Sequence, residues 1–151
     1  MEKAPKQEKA TAPVKKQAAD INKQSDRMIA VILIRGTTGA RHDVVLTLKS
    51  LNLLRKNVCI VRKDSDSLRG MLLRAKDFIT WGEIDSETYR DLTEKRGKKD
   101  ADSKDNSLKQ YFRLNPPRSG FGRKGIKRAY SIGGGLGNRG KDINNLIKRM
   151  L

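Results

Sequence analysis

The sequence predicts strands and helices in the order β-α-β-α-β, followed by a basic, glycine-rich extension that ends in a helix. Two observations predict the core: short apolar runs of strand length, and intervening segments whose apolar residues recur at helical spacing. A third observation predicts the extension, because residues 108–151 contain eleven lysines and arginines, eight glycines and one acidic residue.

The first strand is predicted over residues 28–34, a continuous apolar run rich in β-branched side chains. A helix is predicted over residues 42–52, where Val44, Leu48 and Leu51 recur at positions i, i+4 and i+7 and form one apolar face. We expect the strand to be buried and this face of the helix to cover it.

The second half of the core repeats this pattern. A strand is predicted over residues 58–61, and a helix over residues 68–75 with N-cap candidates in the Asp-Ser-Asp-Ser sequence of residues 64–67. Residues 78–81 complete the β-α-β-α-β unit, and residues 86–95 are expected to add a short helix. A unit of this length is about the smallest that can bury a core of its own.

The extension ends in a helix predicted over residues 141–150. Ile143, Leu146, Ile147 and Met150 recur at positions i, i+3, i+4 and i+7, and they form an apolar stripe that must pack against another surface. We expect this stripe to dock on the chain's own core, and a neighbouring protein is the alternative.

Three parts are expected along the chain. Residues 1–27 have the low hydrophobicity and mixed charge of a disordered basic arm, and they lack the apolar segment of a signal peptide. Residues 28–96 form the core, and residues 97–151 form a charged loop and the extension. Cys59 is the one cysteine, so neither a disulfide nor a cysteine-based zinc site is available. We therefore expect a reducing, cytoplasmic compartment, no metal and no cofactor.

The net charge of +17 makes nucleic acid the default partner. The charge is uneven, since residues 64–107 contain nine basic and eleven acidic residues and are close to neutral. An anionic membrane surface is the competing partner. The sequence disfavours it, because no apolar stretch approaches the ~20 residues that a bilayer requires and no strongly hydrophobic amphipathic helix is present.

Two well-separated groups of short sequences resemble the large-subunit ribosomal protein family called L-thirty. The first group lies in the core and consists of Leu-Lys-Ser-Leu-Asn-Leu at residues 48–53, Val-Cys-Ile-Val at 58–61 and Asp-Ser-Leu-Arg-Gly-Met at 66–71. The second group lies at residues 114–120, 125–127 and 133–137 and is similar to the C-terminal extension of the archaeal and eukaryotic branch, which includes the eukaryotic protein numbered seven. The resemblance covers about residues 28–151 and leaves the role of the arm open.

The resemblance implies an α+β, ferredoxin-like core: a three-stranded antiparallel sheet with two helices on one face. Alternating strands and helices alone are typical of parallel pairing, so the antiparallel direction rests on the resemblance. The implied function is that of a structural constituent of the large ribosomal subunit, which binds and stabilises folded rRNA during translation. Neighbouring ribosomal proteins are then further partners, contact with 5S rRNA stays open, and no small-molecule substrate is expected.

Residues of three kinds are expected to contact RNA: basic side chains that meet phosphates, a turn with free backbone amides, and aromatic side chains that stack on bases. They are Arg35, Gly36, Thr37, Arg41, His42, Arg55, Lys56, Arg69, Arg113, Arg118, Phe121, Arg123, Lys124, Lys127, Arg128, Tyr130, Arg139 and Lys141. A plain turn would also explain the glycines of residues 36–39, and a solvated helix surface would also explain Arg69.

Gly70 lies inside the second predicted helix, where glycine costs roughly 1 kcal/mol relative to alanine. A glycine inside a helix usually has a packing or functional reason. We interpret Gly70 as a point where the helix packs closely on the sheet, and a close approach to RNA is the alternative.

Residues 135–141, here called the glycine loop, match G-x-G-x-x-G and the first seven positions of G-x-x-x-x-G-K-[ST]. Asp142 stands where the second motif needs a hydroxyl, and too few residues follow for another strand, so a nucleotide-hydrolysing protein is a disfavoured alternative. An architectural DNA- or RNA-binding protein outside the ribosome is the other alternative. Since the only histidine is His42 and the only cysteine lies in a strand, we expect no catalytic site.

Overall fold

A computed structural model describes residues 27–99 and 109–151 of the chain. Apart from Arg27, the arm expected over residues 1–27 lies outside the described residues, and so does most of the charged loop.

The first strand, β1 (Met28–Leu33), is the centre of a five-stranded sheet. It pairs antiparallel with β2 (Val58–Lys63) on one side and with β3 (Ile79–Glu83) on the other. These pairings confirm the antiparallel sheet that the family resemblance implies, in place of the parallel pairing that alternation alone favours.

The extension supplies both edge strands of the sheet. Strand β4 (Tyr111–Arg113) pairs antiparallel with β2, and strand β5 (Gly137–Asn138) pairs parallel with β3. The strand order is β4-β2-β1-β3-β5. The sequence did not predict these two strands, because segments of three and two residues carry no periodicity.

Two helices cover one face of the sheet, as the resemblance implies. They are α1 (His42–Ser50) and α2 (Asp66–Arg74), and their buried side chains pack with those of β1 in a single core cluster. The predicted N-cap is confirmed, since the Ser65 hydroxyl oxygen accepts a hydrogen bond of 3.1 Å from the amide of Leu68.

Two further helices cover the opposite face. They are α3 (Ser86–Arg96) and α4 (Ile143–Met150), and they pack over Ala30, Ile32 and Cys59, whose side chains point away from α1 and α2. The docking of the terminal helix on the chain's own core is therefore confirmed. No helix among the described residues is long and apolar enough to cross a membrane.

Close backbone approach explains Gly82 of β3. A Cβ atom at this position would lie 2.1 Å from the carbonyl oxygen of Gly140, in the short 3-10 turn Gly140–Asp142 that leads into α4. A glycine in β3 thus lets the extension cross the sheet edge.

Gly70 does not have the packing role that we expected. A Cβ atom built there meets no heavy atom within 4 Å, and the residue is exposed on α2. The interpretation of Gly70 as a contact between the helix and the sheet is wrong.

Shortening one buried side chain of α4 tests how much this helix stabilises the fold by covering the second face of the sheet, the face opposite α1 and α2. Leu146 is fully buried, so Leu146→Ala should lower the free energy of unfolding by about 2–5 kcal/mol. Leu46→Ala on α1 is the matched control because Leu46 is 51% exposed, and its effect should stay within about 0.5 kcal/mol. Urea unfolding measures both, and equal losses would contradict the packing of α4.

The single cysteine provides a second test of burial. Burial raises the pKa of the Cys59 thiol to about 12, whereas an exposed thiol titrates near ~8.5. The thiolate is the reactive form, so at pH 8 a thiol reagent should label the native protein only as fast as it unfolds. Urea-denatured protein should react at once, and equally rapid labelling without urea would contradict the buried position.

The raised pKa of Cys59 also predicts a pH dependence of stability. Between about 8.5 and 12 the thiol ionises only in the unfolded protein, so the free energy of unfolding should fall as the pH rises above ~8.5.

Candidate nucleic-acid interface

One end of the sheet collects basic side chains from three separate segments. Strand β1 runs antiparallel to β2 and β3, so the end of β1 lies beside the beginnings of β2 and β3. Strand β4 also runs antiparallel to β2, so the end of β4 lies at the same end of the sheet. Arg35 follows β1, Arg55 and Lys56 precede β2, and Arg113 ends β4. We call these four residues the basic end.

Local contacts fix the basic end. The Arg35 guanidinium donates a hydrogen bond of 3.2 Å to the backbone carbonyl of Asp77 and stacks 5.0 Å from the ring centre of Phe78. A Cβ atom at Gly36 would lie 3.2 Å from the Lys56 side chain, so the loop after β1 touches the bend before β2. Two segments that are distant in sequence therefore form one surface.

Within the described part of the chain, no carboxylate neutralises the cations of the basic end. Among residues 27–99 and 109–151, Arg35, Arg55, Lys56 and Arg113 form no ion pair, and the four exposed or partly exposed side chains are available to an external anion. Arg41 differs, because its guanidinium lies 3.5 Å from the carboxylate of Asp43.

At the opposite end of the sheet, two cations are paired with carboxylates. Arg27 contacts the Glu83 carboxylate at 3.2 Å, and the Nε atom of Arg69 donates a hydrogen bond of 2.9 Å to Asp64. This hydrogen bond raises the pKa of Arg69. The structure thus separates Arg69 from the basic end, although the sequence grouped it with the RNA-contacting residues.

The extension adds a second set of exposed cations, here called the basic segment. Its members are Arg118, Arg123, Lys124, Lys127 and Arg128. The backbone around them is fixed, since the amide of Lys124 donates to Gly133 and the carbonyl of Arg128 accepts from Gly135 and Leu136. The basic segment is therefore part of a folded loop within the described chain.

Arg139 has a different environment from the basic segment. It is 7% exposed, and its guanidinium donates to the Thr80 hydroxyl at 3.1 Å and to the carbonyls of Phe121 and Gly135 at 2.6 and 3.2 Å. Burial lowers its pKa. Arg139 joins the extension to β3, so we leave it out of the proposed interface.

The two aromatic residues expected to stack on bases also make contacts within the protein. Phe121 is partly buried against the core of the second face. The Tyr130 hydroxyl donates a hydrogen bond of 2.6 Å to Asp142, which raises the pKa of Tyr130, and the Arg139 guanidinium lies 4.5 Å from its ring centre. Their remaining exposed surface is what base stacking would use, and that role stays a prediction.

The other expected contact residues lie at the ends of helices and turns. Gly36 and Thr37 are partly exposed in the loop after β1, and His42 is exposed at the first position of α1. Lys141 is exposed in the 3-10 turn before α4. Sequence reasoning missed Tyr111, whose place beside the basic end depends on the pairing of β4 with β2.

The glycine loop does not form a phosphate-binding cradle. In such a cradle the backbone amides point at the phosphate. Here the amides of Gly135, Leu136, Arg139 and Gly140 all donate to acceptors within the protein. The match to the nucleotide-binding motifs is therefore a coincidence of sequence.

Comparison with known proteins relates the chain to ribosomal proteins. The family described as ribosomal protein L30p/L7e matches residues 29–79. The large ribosomal subunit protein uL30 of Methanopyrus kandleri is 38% identical over 149 residues, which cover 78% of this chain and 100% of the relative. The uL30 proteins of Methanococcus vannielii and Nanoarchaeum equitans are each 37% identical, over 81% and 82% of this chain and 98% and 99% of their own lengths.

Nucleotide titration tests the glycine loop. Because its amides already have acceptors, the parent protein should bind neither ATP nor GTP at micromolar concentrations, and Lys141→Ala should leave this unchanged. Calorimetric titration of both proteins is the measurement. Saturable binding that is lost in the variant would show that the loop opens to hold a phosphate.

Proposed function

The chain belongs to the ribosomal protein L30p/L7e family, and from this membership we infer that it is a structural constituent of the large ribosomal subunit. It acts in translation by binding and stabilising folded rRNA, and its location is the ribosome in the cytoplasm. Neighbouring large-subunit proteins are its further partners. A DNA-binding role outside the ribosome is not favoured by the relatives.

The proposed mode of binding rests on a difference in ion pairing between the two ends of the sheet. Among the described residues, the cations of the basic end have no carboxylate partner, whereas Arg27 and Arg69 at the opposite end are paired with Glu83 and Asp64. An RNA phosphate gains most from a cation that is not already neutralised. We therefore orient the protein with its basic end toward the rRNA and the opposite end, which carries Asp64 and Glu83, away from it.

The basic segment provides a second contact surface. Its side chains are exposed on a loop whose backbone is bonded to residues 133–136. Cations on a fixed loop lose less conformational entropy on binding than cations on a free tail. We propose that the basic segment supplies affinity and that the basic end, on the rigid sheet, sets the position of the protein on the RNA.

The proposed role includes no catalysis. The family is not a class of enzymes. Cys59 is buried with a pKa of about 12, which makes it a poor nucleophile, and His42 lies on the surface at the start of α1. Within the described part of the chain, no group of three or more histidine, cysteine or acidic residues is placed to hold a metal.

Salt titration of RNA binding tests the division of roles between the two surfaces. Each neutralised phosphate contributes about −0.7 to −0.9 to the slope of log K against log salt. Replacing all five residues of the basic segment by alanine should flatten this slope and weaken binding to every RNA. Arg55→Ala with Lys56→Ala should flatten it less and reduce the preference for a large-subunit rRNA fragment over an unrelated RNA of equal length.

A matched control removes two cations from a surface that is not part of the interface. Arg90→Ala with Lys95→Ala on α3 changes the net charge as much as the Arg55 and Lys56 pair does, and both residues are exposed. It should leave preference and slope close to those of the parent. If this control behaves like the Arg55 and Lys56 variant, the proposed orientation is wrong. Failure of the parent protein to sediment with large subunits would contradict the proposed function itself.

A further inference from the structure

A groove of about 180 Å³ opens at the basic end, between the loop that follows α1 and the edge strand β4. We call it the Tyr111 groove, and its lining residues are Asn52, Leu54, Arg55, Val58, Tyr111 and Arg113. A groove of this size can take one planar ring system.

The Tyr111 groove combines an apolar wall with cations and an amide. Leu54 is 64% exposed, and Tyr111 is only partly buried where it packs against the core of the first face. The Arg113 guanidinium lies 6.0 Å from the ring centre of Tyr111, and Arg55 lines the groove as well. The amide of Asn52 can both donate and accept hydrogen bonds.

The backbone holds the groove open. Asn52 and Asn57 have left-handed φ angles of 58° and 62°, a turn conformation that asparagine adopts more readily than most residues. Leu53 between them is fully buried, and the amide of Asn57 donates a hydrogen bond of 2.8 Å to Leu33. These contacts fix the loop and leave Leu54 facing solvent, so the groove exists before any ligand binds.

We propose that the Tyr111 groove binds one unstacked nucleobase of the rRNA, an inference that rests on the proposed function. A nucleobase has apolar faces, which match the ring of Tyr111 and the side chain of Leu54. Its polar edge matches the amide of Asn52. The phosphate attached to it matches the guanidinium groups of Arg55 and Arg113.

A second groove of about 340 Å³ beside α2 does not fit this ligand. Its lining places the carboxylates of Asp64 and Glu83 beside Trp81, and the one cation among its lining residues, Arg69, is already paired with Asp64, so this groove offers a phosphate no unpaired cation from its lining. The Tyr111 groove instead lies among cations that form no ion pair with the described residues.

Substitutions at Tyr111 test the proposal. Tyr111→Leu keeps an apolar side chain but removes the ring, so it should weaken binding to a large-subunit rRNA fragment roughly 5- to 150-fold, the factor that a base–aromatic stack of about 1–3 kcal/mol implies. Tyr111→Phe keeps the ring and should bind like the parent. The salt slope should not change, since no phosphate contact is removed, and a fully paired duplex RNA of equal length should bind both variants like the parent.

Leu54→Ala tests the other wall without disturbing the fold, because Leu54 is 64% exposed. Leu73→Ala on α2 is the matched control, since Leu73 is exposed to the same 64%. Only Leu54→Ala should weaken binding to the rRNA fragment. Melting temperatures of all four variants show whether each is folded.

The outcomes separate this proposal from the proposed function. If the parent binds the rRNA fragment and folded Tyr111→Leu and Leu54→Ala bind it equally well, the groove does not hold a base. If the two variants bind naked rRNA like the parent but enter large subunits poorly, the groove holds a neighbouring protein and the proposal is wrong. If the parent does not bind the fragment at all, the proposed function fails and the groove proposal fails with it.

Discussion

Strand β1 buries apolar side chains on both of its faces, and the rest of the fold depends on covering both. Ile29, Val31 and Leu33 face α1 and α2, which the chain supplies from the core itself. Ala30 and Ile32 face the other side, where much of the cover comes from α4 at the very end of the chain. Burial of each aliphatic side chain stabilises the fold by on the order of 1.5–3 kcal/mol. Exposing the whole second face to water would therefore cost a large part of the net free energy of unfolding of a small domain, which is about 5–15 kcal/mol. The extension therefore has to return to the sheet.

The return of the extension determines how the basic segment is presented. Strand β4 anchors its beginning, and β5 with α4 anchors its end. Arg139 adds a buried link, since its guanidinium bonds to a side chain of β3 and to carbonyls on both sides of the loop. A buried guanidinium without acceptors would cost several kcal/mol, and here three acceptors compensate for the loss of water. Glycine makes the loop compact, because a Cβ atom at Gly134 would lie 2.1 Å from the carbonyl oxygen of Arg128.

The sequence predicted those features that depend on local pattern. Apolar periodicity located three strands and the helices within a few residues, and the hydroxyl of Ser65 caps α2 as the Asp-Ser-Asp-Ser sequence indicates. Strand direction came only from the family resemblance, because alternation of strands and helices does not determine pairing. Strands β4 and β5 are too short to have a pattern, and only their partners make them strands. Gly70 was misjudged for a related reason: sequence shows that a glycine weakens a helix but not what lies beside it.

The sequence shows which basic residues the candidate interface can use, but not which of them are exposed and which are buried or paired. Arg123 and Arg139 have similar glycine-rich neighbourhoods in the sequence, yet one is exposed and the other is buried. Arg69 differs from Arg55 through a local neighbour, the carboxylate of Asp64 five residues before it. The partner of Arg27, in contrast, is Glu83, which is distant in sequence and is brought close by the pairing of β1 with β3. Which cations remain available to RNA is decided by the chain's own acidic residues, whose positions depend on the topology of the sheet.

This distribution of paired and unpaired cations has a consequence for assembly. At physiological salt, interactions between exposed charges are screened beyond about 8 Å, so only cations close to the RNA contribute strongly. Turning the protein end for end would replace Arg55 and Lys56, which form no ion pair with the described residues, by Arg27 and Arg69, whose charges Glu83 and Asp64 already neutralise, so the attraction of these residues to phosphates would be weaker. In the proposed orientation, charge selects the end that faces the RNA, and the fixed spacing of the cations on the rigid sheet contributes to the position of the protein, although each single phosphate carries the same charge. A contact with a base would add to this positioning, and the proposed base site in the Tyr111 groove lies at the same end of the sheet as the basic end.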